Sequence, residues 1–307
     1  MELHTCLWND VAAFDFNQED LAPVAAAFPH IRLVMHDSEE QFLSAAAHAT
    51  WVLTWDFKAE WYKRCPSLQA VFTPAAGNDW VTADPDGRVP IIHGTFHGGI
   101  LSESLLGALL FMNHRMPDMI RNYQRRDWDR NLQQDCRLLK NQCVLVIGLG
   151  HIGSTCARVI RQTGARVIGI KRAPSVLYEP LENIEVRGID RLEQSLGEAD
   201  HVVLLLPGDR STDRYLDKDL LHRCKQGAFI YNFGRGNAIG AGDLLAAMDW
   251  LGGAFLDVVE EEPLPQDSPL WPHPRIMITP HSSCVYREYK SAFVEEVIAR
   301  GRAGLFG

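Results

Sequence analysis

The sequence has no apolar run near the ~20 residues that a membrane-spanning helix needs, and its first residues, Met1–Asp10, lack the basic-then-apolar plan of a secretion signal. It has no C-x-x-C pair: the 7 cysteines, Cys6, Cys65, Cys136, Cys143, Cys156, Cys224 and Cys284, are odd in number and scattered. A disulfide framework or a structural zinc site needs closer, paired spacing, so reduced thiols in a cytoplasmic protein are expected. Positive charge is in deficit as well, with 30 Lys and Arg against 39 Asp and Glu and a net charge of −9. That balance excludes nucleic acid as a bulk partner, because displacing its counterions takes a net basic face. It also argues against a polybasic membrane anchor. No repeat in the 20–50-residue range is present, which argues against a solenoid.

What remains is an ordinary globular composition, 46% hydrophobic and 22% charged, in a chain of 307 residues, a length for about two domains. Short runs apolar on both faces (Leu3–Trp8, Ile31–Met35, Trp51–Trp55, Gln69–Thr73) alternate with helical patterns such as Ser38–His48, where Ser38 and Gln41 have capping-box spacing. After a turn-rich stretch through Pro74, Gly77, Pro85-Asp86-Gly87 and Pro90, a long apolar helix is expected over about Ile100–Asn113. A second alternation begins at Cys143, with strand-like runs at Val144–Ile147, Ala165–Ile170, His201–Leu206, Ala228–Asn232, Gly253–Asp257 and Ile276–Thr279. A helix over Asp190–Leu196, started by Asp190 and Glu193 at cap spacing, and a last one over Val285–Arg300 are also expected. Repeated β-α-β units imply parallel sheets covered by helices on both faces. The fold class is therefore α/β, with two doubly wound parallel-sheet domains, Rossmann-like and flavodoxin-like, and a cleft between them.

Val144–Ile147 runs into Gly148-Leu149-Gly150-His151-Ile152-Gly153, and a helical pattern follows. A bare G-x-G-x-x-G is weak evidence, but here a strand precedes it, a helix follows, and another strand comes next. Gly148 can make the tight turn, Gly150 lets the backbone approach a pyrophosphate, and Gly153 lets helix and strand pack closely. The helix N-terminus offers free N–H groups and partial positive charge. About twenty positions on, an NAD-preferring site places an acid for the ribose 2′-hydroxyl. This chain has Lys171-Arg172 there, with no acid between Gly164 and Tyr178. A carboxylate would repel a 2′-phosphate and a guanidinium can hold one, so NADP(H) is expected over NAD(H).

Three later segments bring polar groups to strand ends: Tyr231-Asn232-Phe233-Gly234-Arg235-Gly236, Leu256-Asp257-Val258-Val259-Glu260-Glu261-Glu262-Pro263-Leu264-Pro265, and Ile278-Thr279-Pro280-His281-Ser282-Ser283. In an open α/β sheet the carboxyl ends of the strands face the ligand crevice. There His281 can supply a proton, a carboxylate can bias it toward the charged form, and Arg235 can hold an anionic substrate. Charge and spacing do not separate Glu260, Glu261 and Glu262 as the partner of His281.

In order and spacing, G-L-G-x-I-G, N-x-x-R-G, L-D-V-x-x-x-E-P-L-P and T-P-H make the chain resemble the D-isomer-specific 2-hydroxyacid dehydrogenase family over nearly its whole length. With its short C-terminus and the run Ser268-Pro269-Leu270-Trp271 before His273-Pro274, it looks most like the glyoxylate/hydroxypyruvate reductase branch. The resemblance implies an oxidoreductase acting on CH–OH donors, transferring hydride between NADPH and a small anionic 2-oxo acid to give a D-2-hydroxy acid. By motif it assigns catalysis to Arg235, Glu262 and His281, with Glu262, immediately before Pro263, orienting the histidine. It gives substrate binding to Ala76, Gly77 and Asn78, to Arg235, and to Trp55 on the loop after the third strand. It puts Asp257 near the nicotinamide carboxamide. The expected cofactor contacts are Gly148, Gly150, His151, Ile152, Gly153, Lys171, Arg172, Leu206, Pro207, Phe233 and Asp257.

The chain departs from the family's commonest pattern at Lys171, at Asn78, where an aliphatic residue is common, and at Ser282-Ser283, where a small apolar residue often follows the histidine. Because the nucleotide loop starts at Gly148, the cofactor unit is inserted into the substrate unit. The expected domains are 1–98 plus 286–307 for substrate and 99–285 for NADP. The run Arg121–Arg130 mixes basic, acidic and aromatic residues, and the resemblance implies a homodimer contact over 113–140. His93 and His97 are four apart with no third ligand, so loop histidines are expected and no metal site. Two rivals remain. A dinucleotide-sensing, corepressor-like binding protein would have partner-binding surfaces and extra tails, and no tail is expected here; formate dehydrogenase, which resembles the family, lacks the Glu–His pair.

Overall fold

In a computed structural model, residues 1–134, 136–175 and 181–306 are described. The chain divides into two compact units, Met1–His97 with Val285–Gly307, and Gly98–Cys284. The first unit holds the strands β1 (Glu2–Cys6), β2 (Arg32–Met35), β3 (Trp51–Thr54), β4 (Ala70–Thr73) and β5 (Ile91–His93). They form a 5-stranded sheet in the order β2-β1-β3-β4-β5, with each pair parallel. That is the flavodoxin-like order, in which the topology reverses between β1 and β3. The helices α1 (Gln18–Ala27) and α2 (Glu39–Ala45) come from the N-terminal stretch, and α9 (Tyr289–Arg300) returns from the C-terminal one.

The sequence explains the starts of these helices. Ser38 Oγ accepts the Gln41 N–H at 3.2 Å and opens α2, satisfying one of the donors a helix leaves free at its start. At α1, Asn17 and Asp20 form a reciprocal capping box. α1 fills the interval between the first two strands of the expected alternation, with Pro23 inside it. β5 and β8 (Glu185–Arg187) were not expected. Each has three residues and lies at a sheet edge, where short, polar strands are the rule. The last helix begins at Tyr289 rather than Val285, and Asp190 caps nothing: α6 (Leu192–Glu198) starts without a side-chain cap after a single turn of 3₁₀ helix.

The second unit carries β6 (Cys143–Ile147), β7 (Arg166–Ile170), β8, β9 (His201–Leu204), β10 (Phe229–Asn232), β11 (Gly253–Leu256) and β12 (Ile276–Ile278). Its 7-stranded sheet runs β12-β11-β10-β9-β6-β7-β8, all parallel. The order reverses between β6 and β9. A doubly wound sheet binds its ligand at such a reversal, because the loops there diverge to opposite faces and open a crevice. Helices α3 (His97–Asn113), α4 (Met116–Arg125), α5 (His151–Gln162), α6, α7 (Lys218–Arg223) and α8 (Ala241–Ala247) accompany it.

Two hydrophobic clusters lie on opposite faces of this sheet. Along β6, Val144 and Val146 enter one cluster, while Leu145 and Ile147 enter the other, the period of two that a pleated strand imposes. All four are essentially inaccessible, which is why β6 reads as an unbroken apolar run. Leu101, Leu105, Leu109 and Met112 bring one stripe of α3 onto the first of these faces. No helix among the described residues is long and apolar enough to cross a membrane.

Candidate active site

Every site residue expected in the second unit lies at or beyond the carboxyl end of a strand. After β6 the chain turns through Gly148 with φ +105°, and a Cβ there would stand 2.5 Å from the Leu205 carbonyl oxygen. Gly153 is still tighter, since its Cβ would fall 1.9 Å from Gly148 O. Only glycine permits both the left-handed turn and this approach of helix to strand. A Cβ on Gly150 would meet nothing within 4 Å, and α5 begins at His151 without a side-chain cap. Bare backbone and uncapped N–H groups at a helix start suit a dinucleotide's phosphates.

His151 is exposed at that start, while Ile152 packs back on the core. Lys171, just past β7, donates from Nζ to Leu149 O at 2.8 Å, which places its ammonium over the glycine turn. Arg172 is exposed. The Ser211 hydroxyl and N–H, helped by the Arg172 charge, hold the Asp209 carboxyl below its usual range. The Arg172 charge thus acts on the loop after β9, which also carries Leu206 and Pro207. The Phe233 ring is buried and stacked on Phe255 at 5.7 Å, so toward a cofactor it can offer only backbone.

The loops after β9, β10 and β11 are pressed together by glycine. A Cβ on Gly234 would stand 2.6 Å from Leu206 N and O, and one on Gly236 would stand 1.8 Å from Val259 O. Between these glycines, half-buried Arg235 donates from Nη1 to Gly234 O at 3.0 Å. The three glutamates that the sequence leaves equivalent have different surroundings. Glu260 Oε2 accepts the Ala241 N–H at 2.7 Å, at the start of α8. Glu261 is exposed. Glu262 Oε2 meets His281 Nδ1 at 2.8 Å, and its Oε1 accepts the Val259 N–H at 3.1 Å. Burial raises the Glu262 carboxyl, but His281, Val259 N–H and the Arg235 charge together outweigh that and hold it below its ordinary value.

His281 has φ +52°, a left-handed conformation that costs a non-glycine residue ~1–2 kcal/mol. The loop is held there by Asp257, whose carbonyl accepts the His281 N–H at 2.8 Å. Its Oδ1 accepts Thr279 Oγ1–H at 2.7 Å and Ser282 N–H at 2.9 Å, and its Oδ2 accepts Ser283 N–H at 3.1 Å. Asp257 is 2% exposed, so its charge is compensated by these donors. An ionised Glu262 can only accept a hydrogen bond, which makes Nδ1 the donor to it and Nε2 the ring nitrogen that Glu262 does not engage.

In the first unit, the remaining expected residues also follow strand ends. Trp55 comes just after β3 and is half-buried; its indole N–H donates to Phe14 O at 3.1 Å, and its ring stacks on Tyr289 at 6.1 Å. Ala76, Gly77 and Asn78 follow β4, with Ala76 and Asn78 exposed. His97 Nε2 is 3.1 Å from the Tyr289 hydroxyl, which donates to Pro74 O. Among the described residues, no group of three or more His, Cys, Asp or Glu is placed to hold a metal ion. One further site residue had no expected role: Asn232, whose amide bonds to the loop that carries Arg235. An Asn at a strand end three residues before an Arg was a visible signal for it.

Residues 106–283 match the sequence profile of the D-isomer specific 2-hydroxyacid dehydrogenase family, NAD binding domain. The chain belongs to this family. It is accordingly an NAD(P)-dependent 2-hydroxyacid dehydrogenase, acting on CH–OH donors by hydride exchange with a nicotinamide dinucleotide. A glyoxylate/hydroxypyruvate reductase A from Salmonella typhi is 30% identical over 237 residues, 72% of each chain. A D-isomer specific 2-hydroxyacid dehydrogenase from Xanthobacter autotrophicus Py2, solved with NADPH and MES, superposes with a TM-score of 0.81 at 25% identity, over 98% of this chain and 95% of that one. An NADPH-dependent glyoxylate/hydroxypyruvate reductase from Sinorhizobium meliloti, solved with NADP and sulfate, gives 0.81 at 26% identity, over 99% and 95%. For a 2-hydroxyacid dehydrogenase the bare Gly150 backbone and the uncapped start of α5 fit the dinucleotide's pyrophosphate. The binding-protein alternative is not favoured.

Proposed function

We propose that this dehydrogenase works with NADP(H) in preference to NAD(H) and reduces a small 2-oxo acid of the glyoxylate or hydroxypyruvate kind to the D-2-hydroxy acid. The observation that carries the reading is the Glu262–His281 pair at 2.8 Å, on loops beside the one that bears Arg235. Lys171 over the glycine turn and the exposed Arg172 support the NADP preference. So do the NADPH and NADP in the complexes of the Xanthobacter and Sinorhizobium proteins.

In this mechanism the bound nicotinamide supplies the hydride that adds to C2. Arg235 holds the substrate carboxylate and lies against the keto oxygen, where its fixed charge stabilises the negative charge that grows as C2 is reduced. His281 delivers the proton to that oxygen from Nε2. Glu262 keeps Nδ1 engaged, so the ring presents one nitrogen in one orientation, and it stabilises the charged imidazole before the proton leaves. Oxidation of the hydroxy acid uses the same groups in reverse. Ala76, Gly77, Asn78 and Trp55 complete the proposed substrate contacts. The proposed domains follow from these roles: 1–98 plus 286–307 for substrate and 99–285 for the dinucleotide.

A homodimer formed through residues 113–140 also belongs to the proposal, supported by Tyr123 and Trp128, which are 83% and 89% exposed. Asp135 in that stretch lies outside the described residues. Among the described residues no disulfide joins the cysteines, which supports a reducing, cytoplasmic setting. The reading is tested by following NADPH and NADH consumption with glyoxylate, hydroxypyruvate, pyruvate and phenylpyruvate. Turnover of a small 2-oxo acid with NADPH ahead of NADH supports it, and absence of turnover with all four would refute it.

A further inference from the structure

Asn232 is the last residue of β10 and is 1% exposed. A buried amide must spend its donors and its acceptor inside the protein. Asn232 spends both ends on the loop that presents Arg235: Nδ2 donates to the Arg235 carbonyl at 3.0 Å, and Oδ1 accepts the Gly234 N–H at 3.2 Å. Its backbone carbonyl accepts the Asp257 N–H at 3.0 Å, and Asp257 in turn holds the loop of His281. One buried amide thus ties down the arginine loop at the point where the neighbouring strand, β11, ends in Asp257, the residue that holds the histidine loop.

Arg235 needs such a tie. Its backbone is extended, with φ −134° and ψ 148°, and it lies between the end of β10 and a short 3₁₀ turn at Gly236–Ala238. No strand ladder sets its direction. Gly234 and Gly236 pack on neighbouring backbone, which limits where the loop can go. The Arg235 carbonyl accepts the Ala238 N–H at 3.2 Å from within the 3₁₀ turn, and Asn232 Nδ2 is the second donor to the same oxygen, tying it to the end of β10.

We propose that Asn232 is a positioning residue for recognition of the substrate anion, acting by fixing the Arg235 backbone and through it the guanidinium. The inference rests on the reading of Arg235 as the residue that meets the substrate carboxylate. A misplacement of ~1 Å at a reacting group costs on the order of 10²-fold in rate. Asn232→Ala should therefore lower kcat/KM for the fastest 2-oxo acid about 10- to 100-fold, with KM raised, while the Kd for NADPH stays within about threefold.

The deciding measurement is a cycle with Arg235→Lys. If Asn232 acts through Arg235, adding Asn232→Ala to Arg235→Lys costs less than about threefold more. The same fold-loss in both backgrounds, or an equal loss of NADPH affinity, would overturn the proposal, as would unchanged kinetics. Asn232→Ser, which keeps a hydroxyl acceptor for the Gly234 N–H, serves if the alanine variant is unstable. Failure of both variants to give the wild-type circular dichroism would assign Asn232 to the fold and overturn the proposal too. A wild type that reduces no 2-oxo acid refutes the proposed function instead, so the two failures are distinguishable.

Discussion

Glu262 and His281, on loops that follow two neighbouring strands of one sheet, meet through Oε2 and Nδ1 at 2.8 Å, and the second oxygen of Glu262 is held by the Val259 N–H. The carboxylate is fixed at both oxygens, so it can fix the ring in turn. The pair lies partly open, with side-chain exposures of 44% for the histidine and 36% for the glutamate. Its use is therefore in orientation more than in stability, since exposed ion pairs contribute little to folding.

His281→Ala removes the proposed proton donor and should lower kcat about 10²- to 10⁴-fold. NADPH binding, followed by fluorescence titration, should change little, because the glycine turn is untouched. Loss of binding with an equal loss of turnover would make His281 a cofactor-site residue.

Glu262→Gln should cut kcat about 10²-fold, since an amide can turn its donor end to Nδ1 and stabilise the wrong tautomer. The native carboxyl titrates below its ordinary 4.5, so its contribution to stability is present above that value and is lost as pH falls through the lower native one. Melting temperatures taken from about pH 6 to about pH 3 should fall less steeply in Glu262→Gln than in wild type.

Replacing Lys171 and Arg172 by acidic residues should shift the NADPH/NADH ratio of kcat/KM toward NADH by at least about tenfold, the scale of one lost charge-assisted hydrogen bond. An unchanged ratio in steady-state assays would remove both residues from recognition of the 2′-phosphate.

His201 is fully buried, with Nδ1 3.0 Å from the Tyr231 hydroxyl and Nε2 2.7 Å from Gln142 Oε1. Burial lowers it from 6.5 to about 4. The unfolded chain takes up this proton first, so stability is lost as pH falls from 6.5 toward 4, by about 3 kcal/mol in all. Denaturant unfolding of wild type and His201→Gln across that window should show a smaller pH slope in the variant.

Gel filtration with light scattering should report a dimer, and Tyr123→Glu with Trp128→Glu should weaken it. Neither residue is needed for the unit's own core, since both are largely exposed. A wild-type monomer at micromolar concentration would remove the subunit-contact reading.

Much of this was legible in the residues. The apolar run Val144–Ile147 and the three glycines after it carry their own physical reason: a strand buried on both faces, a left-handed turn, and a helix that packs within 2 Å of where a side chain would be. The strand ends with Arg235, Asp257 and His281 were readable because each follows a short, continuous, largely apolar run. Short edge strands such as β5 and β8 were not, because three residues carry too little periodicity to register.

By itself, then, the sequence determined the succession of strands and helices, the nucleotide turn and the order of the reactive groups, all of which rest on local period and local backbone geometry. Which of Glu260, Glu261 and Glu262 meets His281, how Asp257 spends its carboxylate, where the Phe233 ring goes and what Asn232 holds were decided only by tertiary structure. Each of these depends on loops from separate strands being brought within ~3 Å of one another, and neighbours along the chain say nothing about which atoms meet across such a gap.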